Sequence, residues 1–127
     1  MPDLLELRTE AGAVVCARCR VADSLVSRTR GLLGVKALDA DEGLLIRRTS
    51  SVHTHFMRFA IDVVFVDADG RVAKVVHDLR PWRLAGCRGA RDVVELPSGT
   101  CARVGLVEGA RLVEAPARTL GRSANAL

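Results

Sequence analysis

The stretch IDVVFVDADGRVAKVV, residues 61–76, constrains the fold more than any other part of this 127-residue chain. Two runs rich in β-branched residues flank Asp67-Ala68-Asp69-Gly70. Val and Ile suit a pleated strand, while Asp and Gly accept the left-handed residue of a tight turn, so the stretch spells a β-hairpin. With Gly70 as the left-handed residue of a three-residue loop, Asp67 pairs with Arg71 and His77 falls opposite Ile61. A two-residue loop would make His77 the diagonal cross-strand neighbour of Asp62 instead. The first arm is apolar on both faces except at Asp62, which marks a strand buried on both sides.

Shorter strand signals surround the hairpin. Residues 3–7 and 13–22 are β candidates joined at Ala11-Gly12, GLLIRR follows the polar turn Asp39–Gly43, and DVVEL and ARLVEA close the series. Two short helices are expected between them. One covers 24–33, with Asp23-Ser24 at its start, Leu25, Leu32 and Leu33 on one side, and Gly34 at its end. The other runs from Pro97-Ser98 to Gly105. Short strands spaced by about 10 residues predict a mainly β fold, a compact antiparallel sandwich or barrel. One domain over residues 1–115 is expected, with PARTLGRSANAL, lacking apolar periodicity, as a flexible tail over 116–127.

Only three Phe, one Trp and no Tyr are present, so the core must be aliphatic. The net charge of +4 comes from 17 Arg and 2 Lys against 15 acids, mixed through most of the chain. The exception is RPWRLAGCRGAR at 80–91, with four Arg and no acid. It reads as a solvated loop before an anion site. Single-stranded nucleic acid would also need aromatic rings to stack on, and Trp82 is alone in that run, so no nucleic-acid partner is expected. The N-terminal MPDLLELRTE has no apolar signal region, and no window reaches the ~20 apolar residues of a membrane span. No membrane partner and a cytoplasmic location with reduced thiols are expected. Cys16 and Cys19 form a C-x-x-C, but in a regular strand residues three apart point to opposite faces, which predicts structural thiols rather than a zinc or redox pair.

Four segments together, RTRGLLG at 28–34, GLLI at 43–46, FMRFAIDVVFVDADGRV at 56–72 and VVELPSGTCARVGLVEGARL at 93–112, resemble the successive motifs of the domain of unknown function 192 family. The match spans about 85 residues in the right order. The resemblance implies a compact, mostly β, jelly-roll-like domain and no established reaction, so it carries over no catalytic residue. This chain has Phe56-Met57 where the family pattern has Trp-Met, Ala60 where it has Pro before the Asp, and Leu33-Gly34 where it has Met-Phe.

The residues with chemical potential lie in SVHTHFMRFAID, 51–62. If 52–59 is extended, His53, His55, Met57 and Phe59 share one face with the imidazoles roughly 6.5–7 Å apart at Cα. A metal would still need a third ligand, and a regular hairpin puts His77 roughly 20 Å from His55. Asp62 and Glu95 each lie in an apolar strand, where a buried carboxylate needs a partner or a raised pKa. For Asp62 an Arg partner, from Arg28, Arg30 or Arg58, is the expected solution.

Two functions fit. The first is a module that binds a small molecule, peptide or protein partner on a concave sheet face without turnover. It would use His53, His55, Arg58 and Asp62, with Arg28, Arg30, Met57 and Trp82 as further ligand contacts. The second is a small hydrolase, lyase or cyclase with His53 or His55 as general acid/base and Asp62 or Glu95 sharing or orienting the proton. Metal assistance through His53 and His55 is a variant of the second. No cofactor and no resident metal are expected for the first. No G-x-S-x-G, P-loop or dinucleotide fingerprint is present.

Overall fold

The structure, a computed structural model, describes residues 4–22 and 37–117. Among the described residues, nine strands, β1 (Leu4–Thr9), β2 (Val14–Ala22), β3 (Glu42–Ile46), β4 (Ser51–His53), β5 (Ile61–Val66), β6 (Val72–Leu79), β7 (Leu84–Gly86), β8 (Asp92–Pro97) and β9 (Leu112–Pro116), accompany one short helix, α1 (Thr100–Val104). The fold is mainly β, as the strand spacing predicts. Of the two expected helices, the second is α1. The first, at 24–33, falls outside the described residues, as do Arg28 and Arg30.

Seven strands form one sheet in the order β6-β5-β8-β3-β2-β1-β9, and β4 pairs with β7 in a small second sheet. The large sheet is antiparallel except at β2 and β3, which run parallel, so the mainly antiparallel sheet is a mixed one. Twist curls it until its edge strands meet at the Arg71↔Arg111 bridge. Val72 N–H donates to the Ala110 carbonyl and Leu112 N–H to that of Gly70, both at 2.8 Å. A curled sheet has an inside, and the alternation of each strand divides two cores. Leu7, Leu45, Val64, Val66, Val94 and Leu96 fill the interior with Cys16, Cys19, Cys101 and Leu106. Leu44, Ile46, Ile61, Val63, Phe65 and Val93 point outward, where Val52 and Met57 cover them. All six residues of β5 are buried, because one face looks into the barrel and the other under that cover.

The hairpin turn forms as predicted. Asp67 N–H donates to the Arg71 carbonyl at 2.9 Å, and Gly70 sits at φ 82°. Two irregularities then shift the register, so Phe65 pairs with Lys74 and Ile61 with Leu79 rather than with His77. A second bulge corrects the reading of C-x-x-C. Leu5 pairs with Cys19 and Leu7 with Cys16, so three residues of β2 oppose two of β1. The extra residue turns both thiols to the same face, into the core at 0–1% exposure. The hydrogen bond that Cys19 donates to Cys16 and burial push the Cys19 thiol up, the same bond holds the Cys16 thiol below its ordinary value, and burial pushes Cys101 up to about 12.

Gly43 is where β3 touches its neighbours most closely. A Cβ there would lie 2.9 Å from Cys16 Sγ, 3.0 Å from the Glu95 carbonyl and 3.0 Å from Leu96 Cδ2. One of those contacts is backbone and the other two are buried core side chains, so the site cannot relax easily. Gly43→Ala is expected to lower stability by about 1–3 kcal/mol, read as a lower urea midpoint at unchanged m-value. A midpoint within error of wild type would show that β3 can shift.

Candidate functional site

The segment holding both histidines is not one extended strand. β4 ends at His53, and the chain then turns at Phe56, which has φ 66°. The four residues expected on one face therefore diverge: His53 is exposed, Met57 is buried in the outer core, and His55 and Phe59 are half-buried. The imidazoles still meet, with ring centroids 5.1 Å apart and His55 N–H donating to His53 Nδ1 at 3.3 Å. Thr54, between them, is fully buried and fixes the turn. Its hydroxyl donates to the Arg80 carbonyl at 2.6 Å and accepts from Arg83 N–H at 2.9 Å, while its carbonyl accepts from Trp82 N–H at 3.0 Å. Among the described residues neither imidazole hydrogen-bonds a carboxylate, and no three His, Cys, Asp or Glu side chains gather around one point.

Asp62 and Glu95 lie on opposite faces of the sheet. Asp62 pairs with Leu96 and shares the inner face with Val64, whereas Glu95 lies opposite Val63 and Leu44 on the outer face. Among the described residues the partners of Asp62 are backbone N–H groups and not Arg58; Arg28 and Arg30 lie outside them. Asp62 Oδ1 accepts from Asp78 N–H and its Oδ2 from Cys101 N–H, both at 2.9 Å. The carboxylate thus ties β5 to the end of β6 and the first turn of α1. Glu95 is 3% exposed, its Oε1 has no hydrogen-bond partner among the described residues, and burial pushes its carboxyl up to about 7. The four residues predicted as catalytic therefore form no single cluster, though the two histidines stand together. Arg58 and Trp82 are exposed, at positions open to a ligand.

A concave site opens elsewhere. α1 and the turn after it, through Cys101 and Leu106, close one end of the barrel beside Asp62. At the other end, where β5 leaves at Val66 and β8 enters at Asp92, is a cleft of about 400 Å³. Leu7, Leu45, Val66, Val94 and Leu112 make an apolar floor, and Arg47, Arg48, Asp67, Arg91, Asp92 and Glu114 make the rim. Arg47 grips Glu114 with two bonds of 2.8 Å, which hold that carboxyl below the usual range, and lies 3.7 Å from Asp92. Asp67 Oδ1 accepts from the N–H groups of Asp69 and Arg71 in its own turn, at 2.9 and 3.0 Å. The exposed Arg91 is held by its backbone, whose N–H donates to the Val66 carbonyl at 2.7 Å.

A model of the domain of unknown function 192 family, described as an uncharacterised ACR, matches residues 7–113. The chain belongs to that family. Two relatives, both named only as members of uncharacterised protein family 0127, agree. One from Pyrococcus horikoshii is 39% identical over 84 residues, 63% of this chain and 72% of the relative. Another, from Pyrococcus furiosus, is 34% identical over 110 residues, 84% of this chain and 94% of the relative. Two crystal structures share the architecture. One from Sinorhizobium meliloti 1021, provisionally called a transcription regulator, has a TM-score of 0.78 at 21% identity, covering 90% of this chain and 94% of that one. A protein of unknown function from Novosphingobium aromaticivorans has a TM-score of 0.76 at 21% identity, covering 89% and 84%. Identity this low shows the fold alone.

In this domain of unknown function 192 protein, the rim of the cleft escapes sequence reasoning because its residues come from the ends of β3, β5, β8 and β9, up to 67 residues apart in the case of Arg47 and Glu114. One signal pointed there. Arg91 ends the acid-free run of 80–91, and its neighbour Asp92 opens a strand.

Proposed function

We propose that this domain is a binding module whose ligand enters the cleft at the open end of the barrel. One observation carries the reading: about 400 Å³ of space combines an apolar floor with a rim of both charge signs, at the barrel end that α1 does not close. The mouths of small barrels are where such folds hold small molecules. The rim suits a ligand with an apolar body and a zwitterionic or hydroxy-acid head, such as an amino-acid derivative or a peptide end. Arg91 would face its carboxylate, and Asp67 and Asp92 its amine or hydroxyl.

Methyl-resolved NMR tests this reading. A screen of amino acids, short peptides and hydroxy acids is expected to shift the methyls of Leu45, Val94 and Leu112 together, with Arg91→Ala weakening the hit about tenfold or more. A screen that leaves those methyls unmoved, or an Arg91→Ala variant that binds as well as wild type, would overturn it.

One observation favours an acid/base enzyme instead, since burial pushes Glu95 into the range useful for proton transfer at neutral pH. That reading would use Glu95 rather than Asp62 as its carboxyl, because Asp62 faces the other side of the sheet and is occupied by two backbone N–H groups.

A further inference from the structure

Two of the chain's four Phe and Trp residues lie where burial does not hold them. Phe56 is 72% exposed and Trp82 54% exposed, with their ring centroids 4.6 Å apart. His55 meets Trp82 edge-on at 5.3 Å and His53 lies 5.1 Å from His55, so four rings form one continuous chain across the tips of two loops. Leu84, cross-strand from His53, is 76% exposed beside them. The backbone that presents the rings is strained. Phe56 and Trp82 sit at φ 66° and 67°, a region bulky side chains rarely enter and which costs on the order of 1–3 kcal/mol per residue. Thr54 overcomes that cost by tying both loops together through its buried hydroxyl and backbone. Hydrophobic burial does not explain the arrangement, because the rings it holds in place face solvent.

The surrounding charge has one sign. Residues 49–61 and 79–91 contain no acid, while Arg58, Arg80 and Arg83 flank the rings in sequence and are exposed. Of the two acids adjoining the second segment, Asp78 accepts from the Ser98 hydroxyl at 2.6 Å, and Asp92 belongs to the barrel-mouth cleft, where it accepts from Arg48 N–H at 3.1 Å and lies 3.7 Å from Arg47. A partner for this surface must offer flat π faces and negative charge together. Trp82 is alone in its own run of sequence but not in space, and, against the expectation from that run, we infer that the ring chain His53, His55, Phe56 and Trp82, with Arg58, Arg80 and Arg83, is a docking surface for single-stranded nucleic acid. Bases stack on exposed rings without sequence preference, and guanidinium groups follow the phosphates. An anionic membrane would share the charge but not the geometry: two polar imidazoles interrupt the apolar wedge that insertion needs. The surface shares no residue with the barrel-mouth cleft, so it stands independently of the ligand proposed there.

Because Trp82 is the chain's one tryptophan, its fluorescence reads the surface directly. Titration of the intact protein with oligo(dT) or oligo(rU) of about 12 nucleotides at low salt is expected to quench Trp82 saturably. The slope of log affinity against log salt should be about −2, the value for roughly three phosphate contacts on a single strand. Phe56→Gly, in which the new residue adopts the left-handed backbone without strain, is expected to keep the fold and weaken binding about tenfold. Arg80→Ser with Arg83→Ser should flatten the salt slope. The inference fails if oligonucleotides leave Trp82 unquenched at low salt or if folded Phe56→Gly binds like wild type. It fails equally if phosphatidylserine vesicles capture the protein while oligonucleotides do not.

Discussion

Asp62→Ala should lower stability by about 3 kcal/mol or more, although Asp62 touches no ligand-accessible surface. Its carboxylate is fully buried and accepts two backbone N–H groups, from Asp78 and from Cys101, each at 2.9 Å. Truncation removes two charge-assisted bonds and leaves the Cys101 N–H, which is buried, with no replacement acceptor. Leaving a buried donor unmade costs about 1–3 kcal/mol, and the more exposed Asp78 N–H adds less. Asp62→Asn keeps one acceptor oxygen but turns an amide NH₂ toward a donor, so about half the loss is expected. Urea unfolding measures both, and hydrogen exchange localises the effect: the Cys101 and Asp78 amides should lose protection ahead of the centre of β5. An Ala variant within about 0.5 kcal/mol of wild type, the range of a neutral surface change, would refute the structural role and return Asp62 to the list of catalytic candidates.

That outcome bears on how much the sequence can show. The hairpin was legible because its signal is local: turn chemistry fixed the first pair, Asp67 with Arg71. Register further along was not, because two bulges slide Leu79 into the place expected of His77, and a bulge is a response to twist and neighbours rather than to residue type. The same cause misplaced the C-x-x-C, whose strand is real but whose faces are not regular. Three-residue strands such as β4 and β7 carry too few residues to show a period. Within His-Thr-His the eye goes to the imidazoles, yet Thr54 in the middle holds the segment, through contacts with residues 26 and 29 positions away. The burial of Asp62 and Glu95 followed from apolar neighbours on both sides. That they face opposite ways followed only from knowing that β5 lies beside β8 in register.

Glu95→Gln should make the protein more stable above pH 7 and leave it unchanged near pH 4.5. The carboxyl faces Leu44 and Val63 under the outer core, its Oε1 has no hydrogen-bond partner among the described residues, and burial pushes it up to about 7. An unfolded glutamate releases its proton near 4.3. Below that pH both states hold the proton and the group's contribution is complete. Between there and about 7 the unfolded state ionises while the folded state keeps its proton, so stability falls with rising pH; above 7 both are ionised and the loss levels off. The gap corresponds to a loss on the order of 3 kcal/mol. Gln fills nearly the same volume and never ionises, so subtracting the two curves isolates this group from Asp41 and Glu114. Arg18 and Arg47 hold those two carboxyls low, and their stability is lost in the opposite direction, as pH falls. Chemical denaturation from pH 4 to 8.5 supplies the curves. A flat difference would mean that water reaches the carboxylate, and a Gln variant less stable than wild type above pH 7 would mean that the ionised form is held by a cation. Either result would remove the one observation that favours acid/base chemistry, because a carboxyl that ionises at its ordinary pH has no proton to give at neutrality.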